Sequence, residues 1–359
     1  MQKKVNKRFG FVLVAFCLSV GAILYSEAQP AKEIRTSITS VVTKTTKTPM
    51  PTPFPFQELT IPYLRQQSYA SQLGPLEQID QNDSYTSYRT SYSSEGLKIN
   101  GLITVPTGET PKEGWPAIVF IHGYIPPTQY KTRERYVAYV DYLASRGFVV
   151  FKIDLRGHDT SEGQPTGAYY ASGYVIDALN AYAALESTNT DSSKVVVNPK
   201  KIGIWGHSMA GNIALRSWAV KKDIPAIAIW AGAGYTYEDL LTYKINDESF
   251  NSVQSDTRRL KLREQIRALY GQPSSDNPFW KQVAPINYLS ELNGAIALHH
   301  AVDDSVVNIG YSRDLMKLLD KTTLPHTLDE YPTGGHNIRD ESFDLAMQRT
   351  VDFFDKYLK

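Results

Sequence analysis

The chain has 359 residues, 42% hydrophobic and 21% charged, which is enough to bury a sizeable core and too apolar for extended disorder. Its 38 basic and 37 acidic residues leave a formal charge of +1, so no global field favours nucleic acid or an anionic membrane. A partner must be sought at a site.

Lys3, Lys4, Lys7 and Arg8 precede an apolar run from Phe9 to Tyr25, followed by Ser26, Glu27 and Ala28. A cationic start, an apolar core and small residues after it read as an export signal or a single N-terminal membrane anchor. Seventeen residues lie on the border between a long signal core and a short span, so residues 1–28 leave both a secreted and a tethered extracytoplasmic protein open. Removal of this segment takes away a net +3 and leaves about −2. Cys17, the only cysteine, lies inside the apolar run, so the body beyond it can form no internal disulfide.

Residues 29–57 are rich in Thr, Ser, Pro and Lys and read as an extended spacer. The remainder, 58–359, reads as one folded domain. Tyr85 to Ser93 and Leu97 to Val105 alternate around the turn signal Glu95-Gly96, the pattern of an antiparallel hairpin. Ala117 to Ile121, Phe148 to Ile153, Ile202 to Trp205, Ala226 to Trp230 and Ala295 to Leu298 are continuous apolar runs, the mark of strands buried on both faces of a parallel sheet. Helix-length segments lie between and after them at Arg133 to Ser145, Tyr174 to Glu186, Ala210 to Val220, Tyr311 to Leu319 and Phe343 to Tyr357. The alternation predicts an α/β fold with a mostly parallel, doubly wound sheet. Residues from about 235 to 292 break it and are too long for a simple connection, which predicts a helical cap over the active-site mouth.

The segment Lys201-Ile-Gly-Ile-Trp-Gly-His-Ser-Met-Ala-Gly211 runs from a buried strand into a helix with Ser208 at the turn. Such a turn stands a serine clear of the sheet, needs small neighbours at Gly206 and Ala210, and aims the first helix amides at the reacting oxygen. Val302-Asp303-Asp304 follows a late strand, and either carboxylate can serve as the acid. Leu324 to Tyr331 reads as the last strand, and Pro332-Thr-Gly-Gly-His336 then places a histidine on a turn before the final helix. Ser, Asp, His is the chain order of α/β-hydrolases. The Met209 amide, with that of Tyr124 or Gly123 after the strand ending at Ile121, would receive an oxyanion. Adjacent His299 and His300 point to opposite strand faces and cannot easily share a metal. No metal or nucleotide motif is present, so no cofactor is expected.

Together Phe120-Ile-His-Gly, Asp154-Leu-Arg-Gly-His-Asp-Thr-Ser-Glu-Gly163, Gly206-His-Ser-Met-Ala-Gly211, His299 to Val307 and Gly334-Gly-His336 resemble the catalytic domain of the prolyl oligopeptidase family and related esterases. The resemblance spans about Tyr85 to Lys359 and implies the α/β-hydrolase fold, a Ser208–Asp303–His336 triad with Asp303 rather than Asp304 as the acid, and a structural role for Asp154, Arg156 and Gly157. Two departures concern the substrate. About sixty residues between the apolar segment and the first predicted strand leave no room for the propeller common in the family's peptidases, and Ala210 and His300 stand where glycine is usual. Esters need less leaving-group protonation than amides, so the reading is a serine hydrolase acting on a carboxylic ester through an acyl-enzyme. Peptidase action on short peptides is the alternative, and a non-catalytic hydrolase-like binding domain the second. The expected partner is thus a small-molecule ester or short peptide, with no nucleic acid, and with membrane contact only through the N-terminal segment. Trp230 and Tyr235, near the start of the cap, are expected to line the acyl pocket with Tyr124.

Overall fold

The computed structural model describes residues 53–188, 195–246 and 257–359. The signal or anchor, Cys17 and the spacer up to residue 52 lie outside the described residues. Among those described, no helix is long and apolar enough to cross a membrane.

Nine strands form one sheet: β1 (Glu77–Gln81), β2 (Tyr85–Ser94), β3 (Leu97–Pro106), β4 (Trp115–Ile121), β5 (Val149–Ile153), β6 (Val197–His207), β7 (Ala226–Trp230), β8 (Ala295–Ala301) and β9 (His326–Tyr331). Their spatial order is β1-β2-β3-β5-β4-β6-β7-β8-β9. β1, β2 and β3 are antiparallel neighbours, β3 meets β5 antiparallel, and every later pairing is parallel.

The helices are α1 (Ile61–Leu64), α2 (Val137–Ala144), α3 (Gly173–Glu186), α4 (Met209–Val220), α5 (Tyr237–Thr242), α6 (Thr257–Tyr270), α7 (Pro278–Val283), α8 (Gly310–Leu319) and α9 (Phe343–Leu358). Side chains of α3, α4 and α8 share one buried cluster with one face of the sheet, and those of α2 and α9 share another with the opposite face. Alternation along β4 makes the division concrete: Ala117, Val119 and Ile121 join the first cluster, Ile118 and Phe120 the second. Burial of a strand on both faces is what made these segments continuous apolar runs.

Two differences from expectation have local causes. β1 is an additional edge strand whose sequence, Glu-Gln-Ile-Asp-Gln, is polar and mostly exposed. The helix expected from Arg133 begins only at Val137, because Tyr136 adopts the left-handed conformation (φ 60°) and turns its side chain toward Gly123.

The predicted insertion between β7 and β8 carries α5, α6, α7 and a 3-10 segment, Pro285–Glu291. It has its own small cluster: Ile266, Phe279, Trp280 and Val283 bury together with Leu59, and Phe54, Phe56, Tyr170 and Tyr270 pack around them. The last spacer residues are therefore packed structure from Phe54 on.

Candidate active site

Gly206-His207-Ser208 closes β6, and α4 begins at Met209. At this turn Ser208 takes φ 55° and ψ −116°, a conformation disfavoured for an L residue, and its amide donates to Trp230 O at 2.9 Å. The small neighbours have steric reasons. A Cβ at Gly206 would lie 2.9 Å from Ala210 O, and one at Gly211 would lie 2.8 Å from the Gly232 Cα, whereas Ala210 itself is accommodated in the helix.

His336 sits in a short 3-10 turn, Gly335–Asn337, entered through Gly334 at φ 127° and Gly335 at φ 58°. Its Nε2 is 2.9 Å from Ser208 Oγ, and its Nδ1 is 2.8 Å from Asp304 Oδ2. The carboxylate facing the imidazole is thus Asp304, which corrects the expectation of Asp303. Asp304 is buried, its Oδ1 accepting from the amides of Val306 and Val307 at 2.8 and 2.9 Å. Its Oδ2 also lies 3.2 Å from His300 Nε2. Burial alone would raise its pKa, but the hydrogen bonds from His300 and His336, charge attraction to His336 and the Val307 amide together hold it well below the usual carboxylate range.

Asp303 is exposed and has a different place. Its two oxygens accept from Gly334 N at 3.3 Å and Gly335 N at 2.8 Å, so it fastens the histidine turn by its backbone.

His299, His300 and His122 each have further partners of their own. His299 packs on the α9 side, within 2.9 Å of Tyr331 Oη and 3.2 Å of Thr350 Oγ1, and His300 turns the other way to Ser312 Oγ at 2.8 Å. His122 Nδ1 lies 2.7 Å from Gly123 O, and its ring stacks on Tyr130 with centroids 4.2 Å apart. Burial drives His122 down to about 3, so it is a neutral support of that loop. Arg156 is paired with the buried Asp177 and with Glu95, while Asp154 accepts from Tyr130 and Thr132.

In the loop after β4, Gly123 N donates to Tyr136 Oη at 2.9 Å, which commits that amide. A Cβ on Gly123 would stand 3.1 Å from Ser208 Cβ, so this loop lies directly against the turn at Ser208. Met209 is the first residue of α4, where backbone N–H groups have no partner within the helix. Tyr124, which follows Gly123, is half-buried.

The expected pocket walls are not at the surface. Trp230 is fully buried on the α2 and α9 side, donating to Thr350 Oγ1 at 3.0 Å and packed among Tyr139, Trp205 and Phe343. Period-two alternation puts it on the face shared by Ala226 and Ala228. Tyr235 is also buried, its hydroxyl against Gly211 and Gly232 beneath the loop after β7. Neither lines an accessible acyl pocket. Among the described residues, no group of three His, Cys, Asp or Glu side chains gathers as a metal site would need.

Residues 115–264 match the family model described as serine aminopeptidase, S33, and residues 191–358 match the model described as BAAT/acyl-CoA thioester hydrolase C terminal. A stretch of 143 residues, 38% of this chain, is 28% identical to a 4-O-methyl-glucuronoyl methylesterase of Schizophyllum commune and spans 34% of that protein. An acetyl xylan esterase from Paenibacillus sp. R4 has a TM-score of 0.55 at 16% identity, with coverage of 83% of this chain and 92% of that one. The dipeptidyl peptidase 4 of Porphyromonas gingivalis has a TM-score of 0.56 at 19% identity, with coverage of 77% and 36%. This chain therefore spans only about a third of the length of the methylesterase and of the peptidase. With its mostly parallel sheet, its strand-to-helix serine turn and these similarities, the chain has the α/β-hydrolase fold.

Proposed function

We propose that the protein is a serine esterase that cleaves a small carboxylic ester through an acyl-enzyme, with Ser208 as nucleophile, His336 as base and Asp304 as the acid that orients it. The observation that carries this reading is the imidazole of His336 held between Ser208 Oγ and Asp304 Oδ2 at 2.9 and 2.8 Å. Ser208 Oγ attacks the ester carbonyl as its proton passes to His336 Nε2. The imidazolium is stabilised by Asp304 and returns that proton to the departing alkoxide. Water then attacks the acyl-enzyme by the same route and releases the acid. The amides of Met209 and Tyr124 are assigned to the developing oxyanion, where loss of one donor typically costs about 3 kcal/mol.

An ester is preferred because two of the relatives are named as esterases of carbohydrate substrates and because an alkoxide leaves with less protonation than an amine. The second reading, a peptidase acting on short peptides, is favoured by the serine aminopeptidase family match. The charged start and apolar run support an extracytoplasmic location, tethered or secreted.

The test is a panel of acetyl esters, methyl esters, long-chain esters and aminoacyl or dipeptidyl amides, run with a fluorophosphonate probe. Turnover of short esters, labelling of the wild type and loss of both in Ser208→Ala are expected. Amides turned over faster than every ester would move the assignment to the peptidase, and an unlabelled wild type would return the protein to a binding role. Recovery of full-length protein from the cytosol would refute export.

A further inference from the structure

Three segments meet behind Ser208 and are tied by side chains that the triad does not use. Tyr136, just before α2, places its hydroxyl 2.9 Å from Gly123 N on the oxyanion loop and 2.7 Å from His207 Nδ1 on the nucleophile turn. The other ring nitrogen, His207 Nε2, lies 2.8 Å from the backbone carbonyl oxygen of His336. Every proton in this series has a forced direction. A carbonyl only accepts, so His207 carries its proton on Nε2. Nδ1 is then an acceptor, Tyr136 donates to it, and the phenol oxygen accepts from Gly123. Burial, with the neighbouring His336, lowers the His207 pKa to about 3, which keeps the ring neutral and able to play both parts. The packing leaves little slack, since a Cβ at Gly123 would meet both His207 Nδ1 and Tyr136 Oη at 2.9 Å.

We propose that Tyr136 and His207 are positioning residues for acyl transfer, a continuous hydrogen-bonded brace that fixes the oxyanion loop, the nucleophile turn and the backbone of the general base relative to one another. This rests on the reading of Ser208 and His336 as nucleophile and base. Asp304 sets the orientation of the imidazole at Nδ1, and Asp303 holds the two amides before it. Neither fixes His336 against the oxyanion loop. The Tyr136–His207 brace supplies that missing constraint, and acyl transfer needs it because oxyanion donors and base must act on the same tetrahedral centre within a few tenths of an ångström. The left-handed backbone of Tyr136, unfavourable for an aromatic residue, is the conformation that delivers its hydroxyl to both partners.

The experiment compares Tyr136→Phe, His207→Phe, their double variant and His207→Gln with the wild type, each at a matched folded fraction. Short-ester kcat and KM and the rate of fluorophosphonate labelling at Ser208 are measured. Tyr136→Phe and His207→Phe should each lower kcat by about 10- to 100-fold, with KM within about twofold and labelling slowed in parallel. The double variant should be little worse than either single one, because the brace is broken once. His207→Gln, whose carboxamide can both donate to the His336 carbonyl and accept from Tyr136, should recover most of the loss. Wild-type kcat and labelling in both Phe variants would overturn the brace, as would a loss confined to KM or to the amount of folded protein. Should Tyr136→Phe fail to fold, the contrast between His207→Phe and His207→Gln decides the matter. A wild type that is not labelled at Ser208 sinks the serine-hydrolase reading and the brace with it, a result distinct from a labelled wild type whose variants are equally fast.

Discussion

At the ends of β8 and β9, His336 is held by directed polar contacts: Asp304 on its ring, Asp303 on the preceding amides and His207 on its carbonyl. The insertion between β7 and β8 has hydrogen bonds too, such as Tyr237 Oη to Trp280 O at 3.0 Å, but adds extensive aromatic packing. There Tyr270 stacks on Phe279 with centroids 3.8 Å apart, Tyr170 meets Trp280 edge-on at 5.8 Å, and Leu241 and Leu269 stand 83% and 58% exposed. Hydrogen bonds fix angles and distances of individual atoms, whereas aromatic packing tolerates sliding. The contrast concentrates directed contacts around His336, the base of the proposed reaction, and the insertion should be able to differ without disturbing it.

The sharpest way to break that contrast lies between two adjacent carboxylates. Asp304→Asn should lower kcat about 10⁴-fold by leaving the wrong group against His336 Nδ1. Asp303→Asn removes one acceptor from the turn and should cost only about tenfold, the equivalent of a modest hydrogen bond. Equal losses in steady-state turnover would show that the two aspartates act as one unit.

In the insertion, Trp280→Ala should lower stability by about 3–5 kcal/mol in urea unfolding, as loss of a buried tryptophan does. The protein that remains folded should label at Ser208 at the wild-type rate. Slowed labelling there would couple the two regions.

Acid provides a third discrimination. Burial lowers His122, His207 and His299 to about 3 and His158 to about 4, so the unfolded chain binds more protons than the folded one. Their contribution is therefore complete above the ordinary histidine value near 6.5 and is lost as pH falls from about 6.5 toward 3. Asp304, also depressed, adds a loss below about pH 4. No histidine falls within residues 231–294. Acid should consequently loosen the catalytic side first, seen as earlier amide exchange there than in α7, and His299→Gln should flatten the dependence of unfolding free energy on pH between 4 and 6. The smallest effect belongs to Tyr270→Phe, which loses a 2.6 Å bond to Pro55 O at an exposed site and should change stability by less than about 1 kcal/mol in the same urea assay.

The parallel strands were legible because burial on both faces leaves nothing but apolar residues, and the serine turn because its spacing carries a steric requirement. The same double burial hid which face a residue takes. With Ala226 to Trp230 apolar throughout, no polar partner marked Trp230 as facing α2 and α9 rather than the crevice. β1 escaped because an edge strand exposed on both sides has no apolar pattern beyond Ile79. The one-residue choice between Asp303 and Asp304 depends on how the chain turns after β8, which strand spacing does not encode. His300, four residues before Asp304 and buried on the α8 side of the strand, was the available signal, since an uncompensated buried imidazole calls for a polar partner near it.

The packing of Phe54 and Leu59 into the cluster of the β7–β8 insertion has a mechanical consequence. Tension along the chain upstream of Phe54 would load the Phe279 and Trp280 contacts before it reached the sheet. Aromatic contacts loaded one after another yield at lower force than strands sheared together, so a pull from that end should unravel the insertion while Ser208, Asp304 and His336 stay in register. In a force-extension measurement pulled from residue 53, the insertion would appear as an early, low-force step separate from rupture of the sheet.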